Sequence, residues 1–130
     1  MRTTIALVLA CLGHLCSAVP VVAHHSVAGE YDVNKPVTIK GKVSRVDWTN
    51  PHSRIYVDVT DSGGKVTTWN FELAARSALT RQGWTGKSVK IGDTVTIEGD
   101  LARSGVNGAH ARTVLLADGS KVFSGANDNN

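Results

Sequence analysis

The stretch Trp48-Thr49-Asn50-Pro51-His52 separates two runs in which apolar and polar residues alternate. This alternation, over residues 37–48 and again over residues 54–60, is the period of a β-strand with one buried face. Proline has no N–H and disfavours helix at the preceding residue, so the Asn-Pro pair interrupts the hydrogen-bonded ladder here. The sequence therefore predicts a corner between two strands, with His52 at the start of the second strand and a large indole nearby.

The rest of the chain repeats the β pattern and adds one helical segment. Strands are predicted near residues 37–48, 53–60, 65–73, 93–101 and 109–117, with residues 121–123 as a candidate short last strand. A parity change within the first strand predicts a bulge near Ser44-Arg45. The segment 74–82 is rich in helix-forming residues and is followed by Gly83, a natural C-cap, which predicts one short helix.

Three meandering strands, a short helix and two further strands follow the order of the oligonucleotide/oligosaccharide-binding barrel, the OB-fold. We therefore predict a mainly β protein, a small five-stranded OB-like barrel with one short helix between strands three and four. Trp69, Phe71 and Leu73 are assigned to the core, and Trp84 is expected to cap one end of the barrel. A β-sandwich is the alternative, but it usually needs about seven strands and no helix.

The N-terminus has the pattern of a secretory signal peptide. A short basic start is followed by an almost uncharged run, residues 3–15, which is too short to span a bilayer. Val21 and Ala23 fit the small-x-small rule and predict cleavage after Ala23, although a cut after Ala18 also fits. The expected organisation is a signal peptide at 1–23, an N-terminal arm at 24–36, a barrel domain at 37–123 and a disordered tail at 124–130.

Cleavage after Ala23 would leave 107 of the 130 residues, the size of one small domain. Both cysteines would be lost with the signal peptide, so the core alone would stabilise the mature protein. The net charge is +3 and the basic residues are scattered without a run, which gives no nucleic-acid footprint. No second apolar stretch follows, so no membrane span is expected after cleavage.

Several motifs spread over the mature chain occur together. They are His24-His25-Ser26, Tyr31-Asp32, Gly41-x-Val43, Trp48-x-Asn50-Pro51-His52, Trp69-x-x-Glu72, Gly83-Trp84, Gly92-Asp93-x-Val95 and Asp118-Gly119. As a set they resemble an uncharacterised bacterial secreted family, the domain of unknown function 6152. The resemblance implies an exported bacterial protein, periplasmic or secreted, with a small β-rich domain. It implies no activity, substrate or catalytic residue.

The histidines of the mature chain are the candidate metal ligands. After cleavage at Ala23, the α-amine and imidazole of His24 could chelate an ion, and His52 could supply a third nitrogen, with His25 assisting and His110 in reserve. All-nitrogen sites suit Cu(II), so copper or another late divalent metal is the predicted cofactor. Glu72 could orient a ligand imidazole from behind. Each of these residues also has a simpler interpretation. His24 and His25 could be a solvated, incidental pair, and His110 could be a surface residue. For Glu72 we favour the simpler interpretation, an exposed carboxylate.

Motifs for a catalytic nucleophile are absent from the sequence, which contains no Gly-x-Ser-x-Gly and no thiol after cleavage. The sequence therefore favours a binding protein over an enzyme, with no catalytic residue assigned. The leading hypothesis is an exported small binding protein that holds a metal through His24, His25 and His52. The runner-up is a metal-free OB-type module that binds a saccharide or a partner protein, and a copper oxidase is a weaker third.

Overall fold

The computed structural model describes residues 26–125 of the chain. The predicted signal peptide at 1–23 and the last five residues of the predicted tail lie outside this range. The described chain contains two short helices and six strands: α1 (Val27–Glu30), β1 (Tyr31–Asp47), β2 (Arg54–Thr60), β3 (Val66–Glu72), α2 (Arg76–Arg81), β4 (Thr94–Ala102), β5 (Gly108–Leu116) and β6 (Lys121–Ser124). Neither helix is long and apolar enough to cross a membrane.

The six strands form one sheet in the order β3-β2-β1-β4-β5-β6, and an additional pairing of β3 with β5 joins its two sides. The β3–β5 pair is parallel, whereas the neighbouring pairs in the sheet are antiparallel. Strands β1 to β5 therefore close into a ring, and β6 extends the sheet beyond it. The prediction of a mainly β, five-stranded OB-like barrel is confirmed, with α2 between β3 and β4.

Strand β1 is longer than the pattern predicted, because it begins at Tyr31 rather than near Val37. Its first residues alternate only from Tyr31 to Asn34, before Lys35 and Pro36 break the pattern, yet they pair with the end of β4, Tyr31 lying opposite Ala102. The register shifts between Asp32 and Pro36, where proline cannot donate to the ladder. Part of the predicted N-terminal arm is therefore strand, a result of tertiary pairing rather than of local sequence.

The predicted bulge in β1 is confirmed, since the register against β2 shifts between Val43 and Arg45. Just before it, β1 leaves its pairing with β4 and passes close to β2. A Cβ atom at Gly41 would lie 2.4 Å from the carbonyl oxygen of Asp58. Only glycine permits this approach without a shift of backbone, so Gly41 sets how tightly the barrel turns.

The barrel interior is filled by the apolar residues that alternate along the strands, as predicted. Its fully buried members include Ile55, Val57, Phe71, Val95, Ile97 and Val114. Trp84 is buried, stacks on Trp48 at 6.1 Å between ring centroids and meets the edge of Phe123 at 5.8 Å. The predicted cap at one end of the barrel is therefore formed by Trp84 together with Trp48 and Phe123. Trp69, which was assigned to the core, is only partly buried and stacks on Phe71.

Helix α2 is held to the corner between β1 and β2. The N–H of Arg76 donates to the carbonyl of Thr49 at 3.0 Å, and the N–H of Ser77 donates to the side-chain oxygen of Asn50 at 3.3 Å. Leu79, on the inner face of the helix, is fully buried, and Gly83 follows the helix with a positive φ of 89°. The corner thus supplies partners for helix N–H groups that have none within a helix of this length.

The variant Gly41→Ala should lower the free energy of unfolding by about 1–3 kcal/mol, because the added methyl group must displace strand backbone. Urea denaturation measures the change. The matched control is Gly86→Ala, whose Cβ would meet only the Trp48 ring at 4.0 Å, an ordinary contact. Equal stability of the two variants would contradict the close approach of β1 to β2.

Candidate functional site

His52 lies on a corner whose backbone is fixed by hydrogen bonds. The buried Ser53 donates its N–H to the carbonyl of Ala74 at 3.1 Å and its hydroxyl to the carbonyl of Thr49 at 3.1 Å. The Thr49 hydroxyl donates to the carbonyl of His52 at 3.1 Å. The side chain of His52 is 44% exposed. The corner therefore presents an accessible imidazole on a rigid backbone.

Glu72 is buried with 4% exposure, so the favoured prediction of an exposed carboxylate is wrong. Its Oε2 accepts hydrogen bonds from the Tyr31 hydroxyl at 3.1 Å and from the Arg54 guanidinium at 2.5 Å. Its Oε1 lies 3.6 Å from Nδ1 of His52. The strand parity was interpreted correctly, because Glu72 does point away from the barrel interior. The start of β1 then covers that outer face, which no local pattern reveals.

The hydroxyl of Tyr31 is tied to this carboxylate and buried with it. Burial, the negative charge of Glu72 and the hydrogen bond to it together raise the pKa of Tyr31 to about 12, although the charge of Arg54 opposes the shift. The phenol therefore remains a neutral hydrogen-bond donor throughout the physiological range. It holds the beginning of β1 against β3.

Four charged or titratable residues occupy neighbouring positions across the strands. In register, Arg54 lies opposite Glu72, Glu72 opposite His110, and His110 opposite Asp100. We call these four residues the polar row. Asp100 is 5% exposed, and its Oδ1 lies 3.5 Å from the Arg112 guanidinium without a hydrogen-bond partner among residues 26–125.

His110 is not an isolated surface residue. It is partly buried, and its ring lies 5.5 Å from the ring of Tyr31, centroid to centroid. It lines a pocket of about 310 Å³ together with His52 and with Val27 of α1. The sequence hypothesis held His110 only as a reserve donor, and the structure places it in the same pocket as His52. That placement comes from the parallel β3–β5 pairing.

A second pocket, of about 400 Å³, is lined in part by Gly29 and Glu30 of α1. Tyr31, Arg54 and Asn70 line it from the strands, and the loop between β4 and β5 contributes Arg103 and Ser104. Arg103 also donates to the carbonyl of Ala28 at 3.2 Å, which holds α1 in place. We call this the arginine pocket and the first the histidine pocket.

The predicted metal ligands His24 and His25 lie outside the described residues, so their arrangement with His52 remains a prediction. Within residues 26–125, no group of three or more histidine, cysteine, aspartate or glutamate side chains is placed to hold a metal ion. The position of Glu72 behind Nδ1 of His52 is compatible with the orienting role predicted for it.

The variant Tyr31→Phe should be less stable than the wild type by about 2 kcal/mol at neutral pH, because Glu72 loses a buried donor. The difference in stability between the wild type and Tyr31→Phe should decrease as the pH rises from 10 to about 12. The unfolded phenol ionises at its ordinary pKa of 10.0, whereas the folded phenol resists ionisation up to about 12. Urea denaturation across this pH range measures the difference.

The control is Tyr56→Phe, since the Tyr56 ring lies under the Arg45 guanidinium, 3.8 Å from its centroid, rather than against Glu72. Spectrophotometric titration of the wild type and of Tyr31→Phe isolates the Tyr31 transition. A Tyr31 transition near pH 10 would show that the phenol is not buried against Glu72 in solution.

Comparisons with known proteins bear on the fold and the family. Two crystal forms of Rim1, a mitochondrial single-stranded DNA binding protein from S. cerevisiae, resemble this chain with TM-scores of 0.51 and 0.49. Both are 12% identical in sequence and cover 68% of this chain, and the match covers 94% and 95% of theirs. At this identity the likeness shows the fold alone. No match among curated protein sequences was found.

The model of a protein family matches most of the chain. It covers residues 13–111, which include β1 to β4, the corner, Glu72 and His110. The chain therefore belongs to the family of unknown function DUF6152.

Proposed function

We propose that this protein is an exported metal-binding protein that holds one late divalent ion, copper in the first instance, at the rim of its barrel. The donors are the α-amine and imidazole of His24 and the imidazole of His52, with His25 assisting. The observation that supports this proposal is the histidine pocket. Val27 lines the same pocket as His52, and it follows His24 by only three residues.

Chain geometry makes the approach of His24 possible. A residue spans at most about 3.6 Å, so the Cα of His24 lies within about 11 Å of the Cα of Val27. Val27 and His52 line the same pocket. A terminal amine and its own imidazole could therefore reach His52 without any rearrangement of the barrel.

The proximity of Glu72 to His52 also supports the proposal. A ligating imidazole commonly donates its other ring N–H to a carboxylate, which fixes the tautomer and raises the basicity of the ligand. The Glu72 oxygen nearest Nδ1 of His52 lies at 3.6 Å, a distance that a small rotation of the exposed ring would shorten. Nε2 would then be directed to the ion. Nitrogen donors of this kind bind Cu(II) most strongly among the divalent metals of the first row.

The chain beginning at His24 should bind one Cu(II) with mainly nitrogen coordination, measured by isothermal titration and electron paramagnetic resonance. His24→Ala and His52→Ala should each weaken binding at least about 100-fold, since even residues behind a ligand contribute 10- to 100-fold. Affinity should fall from about pH 8 to 5, because protons compete for the amine and the imidazoles.

The matched control is a chain with one residue added before His24. It keeps every side chain but moves the amine away from the imidazole of His24, so it should lose the tight site. Equal Cu(II) affinity of the extended and unextended chains would show that the terminal amine is not a ligand and that the His-His pair is incidental. A mature N-terminus at Val19, detected by mass spectrometry of the exported protein, would also rule out the chelate.

The arginine pocket favours a second candidate function, a metal-free OB-type module that binds an acidic saccharide. Arg54, Asn70, Arg103 and Ser104 line it with hydrogen-bond donors, and guanidinium groups match carboxylates in geometry. The pocket lies between the ends of β2 and β3 and the β4–β5 loop, the region where OB-folds bind oligosaccharides and oligonucleotides.

Titration with oligogalacturonate tests this candidate. Binding should weaken about 10-fold in Arg103→Ala, consistent with the loss of one charge-assisted hydrogen bond, and stay unchanged in Arg81→Ala, which removes an exposed arginine from α2. Equal binding of the reduced, uncharged oligosaccharide would contradict the role of the arginines. An oligothymidylate should not bind, as the scattered basic residues predict.

A further inference from the structure

We infer that the arginine pocket recognises one carboxylate, carried by a uronic acid residue of a saccharide, through two guanidinium groups held in fixed positions and not through a net positive charge. This inference rests on the second candidate function of the pocket. It narrows the ligand from acidic saccharides in general to a single uronate residue.

The guanidinium of Arg54 is held by the neighbouring strand. Its Nη2 donates to Oε2 of Glu72 at 2.5 Å and its Nη1 donates to Oδ1 of Asn70 at 3.4 Å, and both partners belong to β3. A guanidinium has five N–H donors in one plane, so three are not used by these two bonds. The side chain of Arg54 is 34% exposed and lines the pocket. It therefore presents oriented donors to a ligand.

The guanidinium of Arg103 is held by α1 and β1. Its Nε donates to the carbonyl of Ala28 at 3.2 Å, and its Nη1 lies 3.5 Å from Oδ2 of Asp32. The backbone N–H of Arg103 also donates to the carbonyl of Glu30 at 2.9 Å. Because both guanidinium groups are already ordered, a carboxylate that accepts N–H bonds from them costs little side-chain entropy.

The charges at this pocket balance. Within residues 26–125, the pocket lining and its ion pairs contribute three basic and three acidic side chains, which are Arg54, Arg103, Lys35, Glu30, Asp32 and Glu72. Oδ2 of Asp32 lies 3.5 Å from Nη1 of Arg103 and 3.9 Å from Nζ of Lys35. A polyanion gains affinity and speed of association from a net positive field, which this pocket does not provide. A single carboxylate is instead recognised by directed hydrogen bonds.

The rest of the lining suits a sugar better than a peptide. Asn70 and Ser104 offer an amide and a hydroxyl that can pair with sugar hydroxyl groups, whereas the apolar part is limited to Ala102, Val106 and the ring of Tyr31. The N–H of Asn70 donates to the carbonyl of Asn107 at 3.0 Å, which fixes the β4–β5 loop to β3. A volume of about 400 Å³ is near the lower end of the range for ligand pockets, about 300–1,000 Å³. The pocket therefore fits a short part of a saccharide.

Isothermal titration of the protein with digalacturonate and with a longer oligogalacturonate, at about 50 and 200 mM salt, measures how many charges are neutralised. We expect the dissociation constant to rise no more than about 4-fold over this range for both ligands, because one neutralised charge gives a slope near one. Methyl-esterified digalacturonate keeps the hydroxyl groups but lacks the charges, so it should bind at least about 10-fold more weakly.

The variant Asp32→Asn removes the negative charge beside Arg103 and keeps an oxygen for the N–H of Asn34. The pocket then gains one net positive charge, so the affinity for digalacturonate should rise by up to about 5-fold and the salt dependence should become steeper. The matched control is Asp118→Asn, which removes the same charge beyond the end of β5 at Leu116, whereas the pocket contacts the start of β5 at Gly108. It should leave affinity and salt dependence unchanged.

The outcomes separate the inference from the candidate function. A wild-type dissociation constant that rises more than about 10-fold with salt, as two or more neutralised charges require, or a steeper salt dependence for the longer oligomer, would overturn the inference and leave the second candidate function standing. Absence of binding by both galacturonates would overturn both, as would equally tight binding of N-acetyl-dialanine, which carries one carboxylate and no sugar. The wild-type salt dependence decides the matter even if Asp32→Asn does not fold.

Discussion

The buried carboxylate of Glu72 is the interaction on which this end of the barrel depends. A carboxylate removed from water costs several kcal/mol unless it is paired and hydrogen-bonded. Here Tyr31 and Arg54 both donate to Oε2, and His52 lies near Oε1. Because these partners come from the start of β1, from β2 and from the corner, satisfying one carboxylate brings three separate segments together at the edge of β3.

Residues that contact this carboxylate line both pockets. Tyr31 and Arg54 line the arginine pocket, whereas His52 and His110 line the histidine pocket. Both candidate sites therefore include a residue that lies against Glu72, since Arg54 donates to its Oε2 and Nδ1 of His52 lies 3.6 Å from its Oε1. The same carboxylate anchors the beginning of β1, because the Tyr31 hydroxyl donates to it.

Much of the scaffold could be predicted because its signals are local. The alternation in β2 to β5, the bulge before Arg45 and the helix that ends before Gly83 all appear in the structure. The start of β1 was missed because its short alternation, Tyr31 to Asn34, is broken by Lys35 and Pro36, and pairing with β4 extends the strand across that break. Glu72 was predicted to be exposed because parity reports which face a side chain points to, and not what covers that face.

The sequence by itself determined the order of strands and helix, the corner before His52, and the histidines that could hold a metal. These follow from short-range rules, since alternation, proline and glycine act on their immediate neighbours. Only the tertiary structure decided that His110 lies beside Glu72 and in the same pocket as His52. That placement follows from the parallel pairing of β3 with β5, a contact between strands far apart in the chain. Its register is set by closure of the barrel and by burial of Glu72 and Asp100, and no local pattern encodes either.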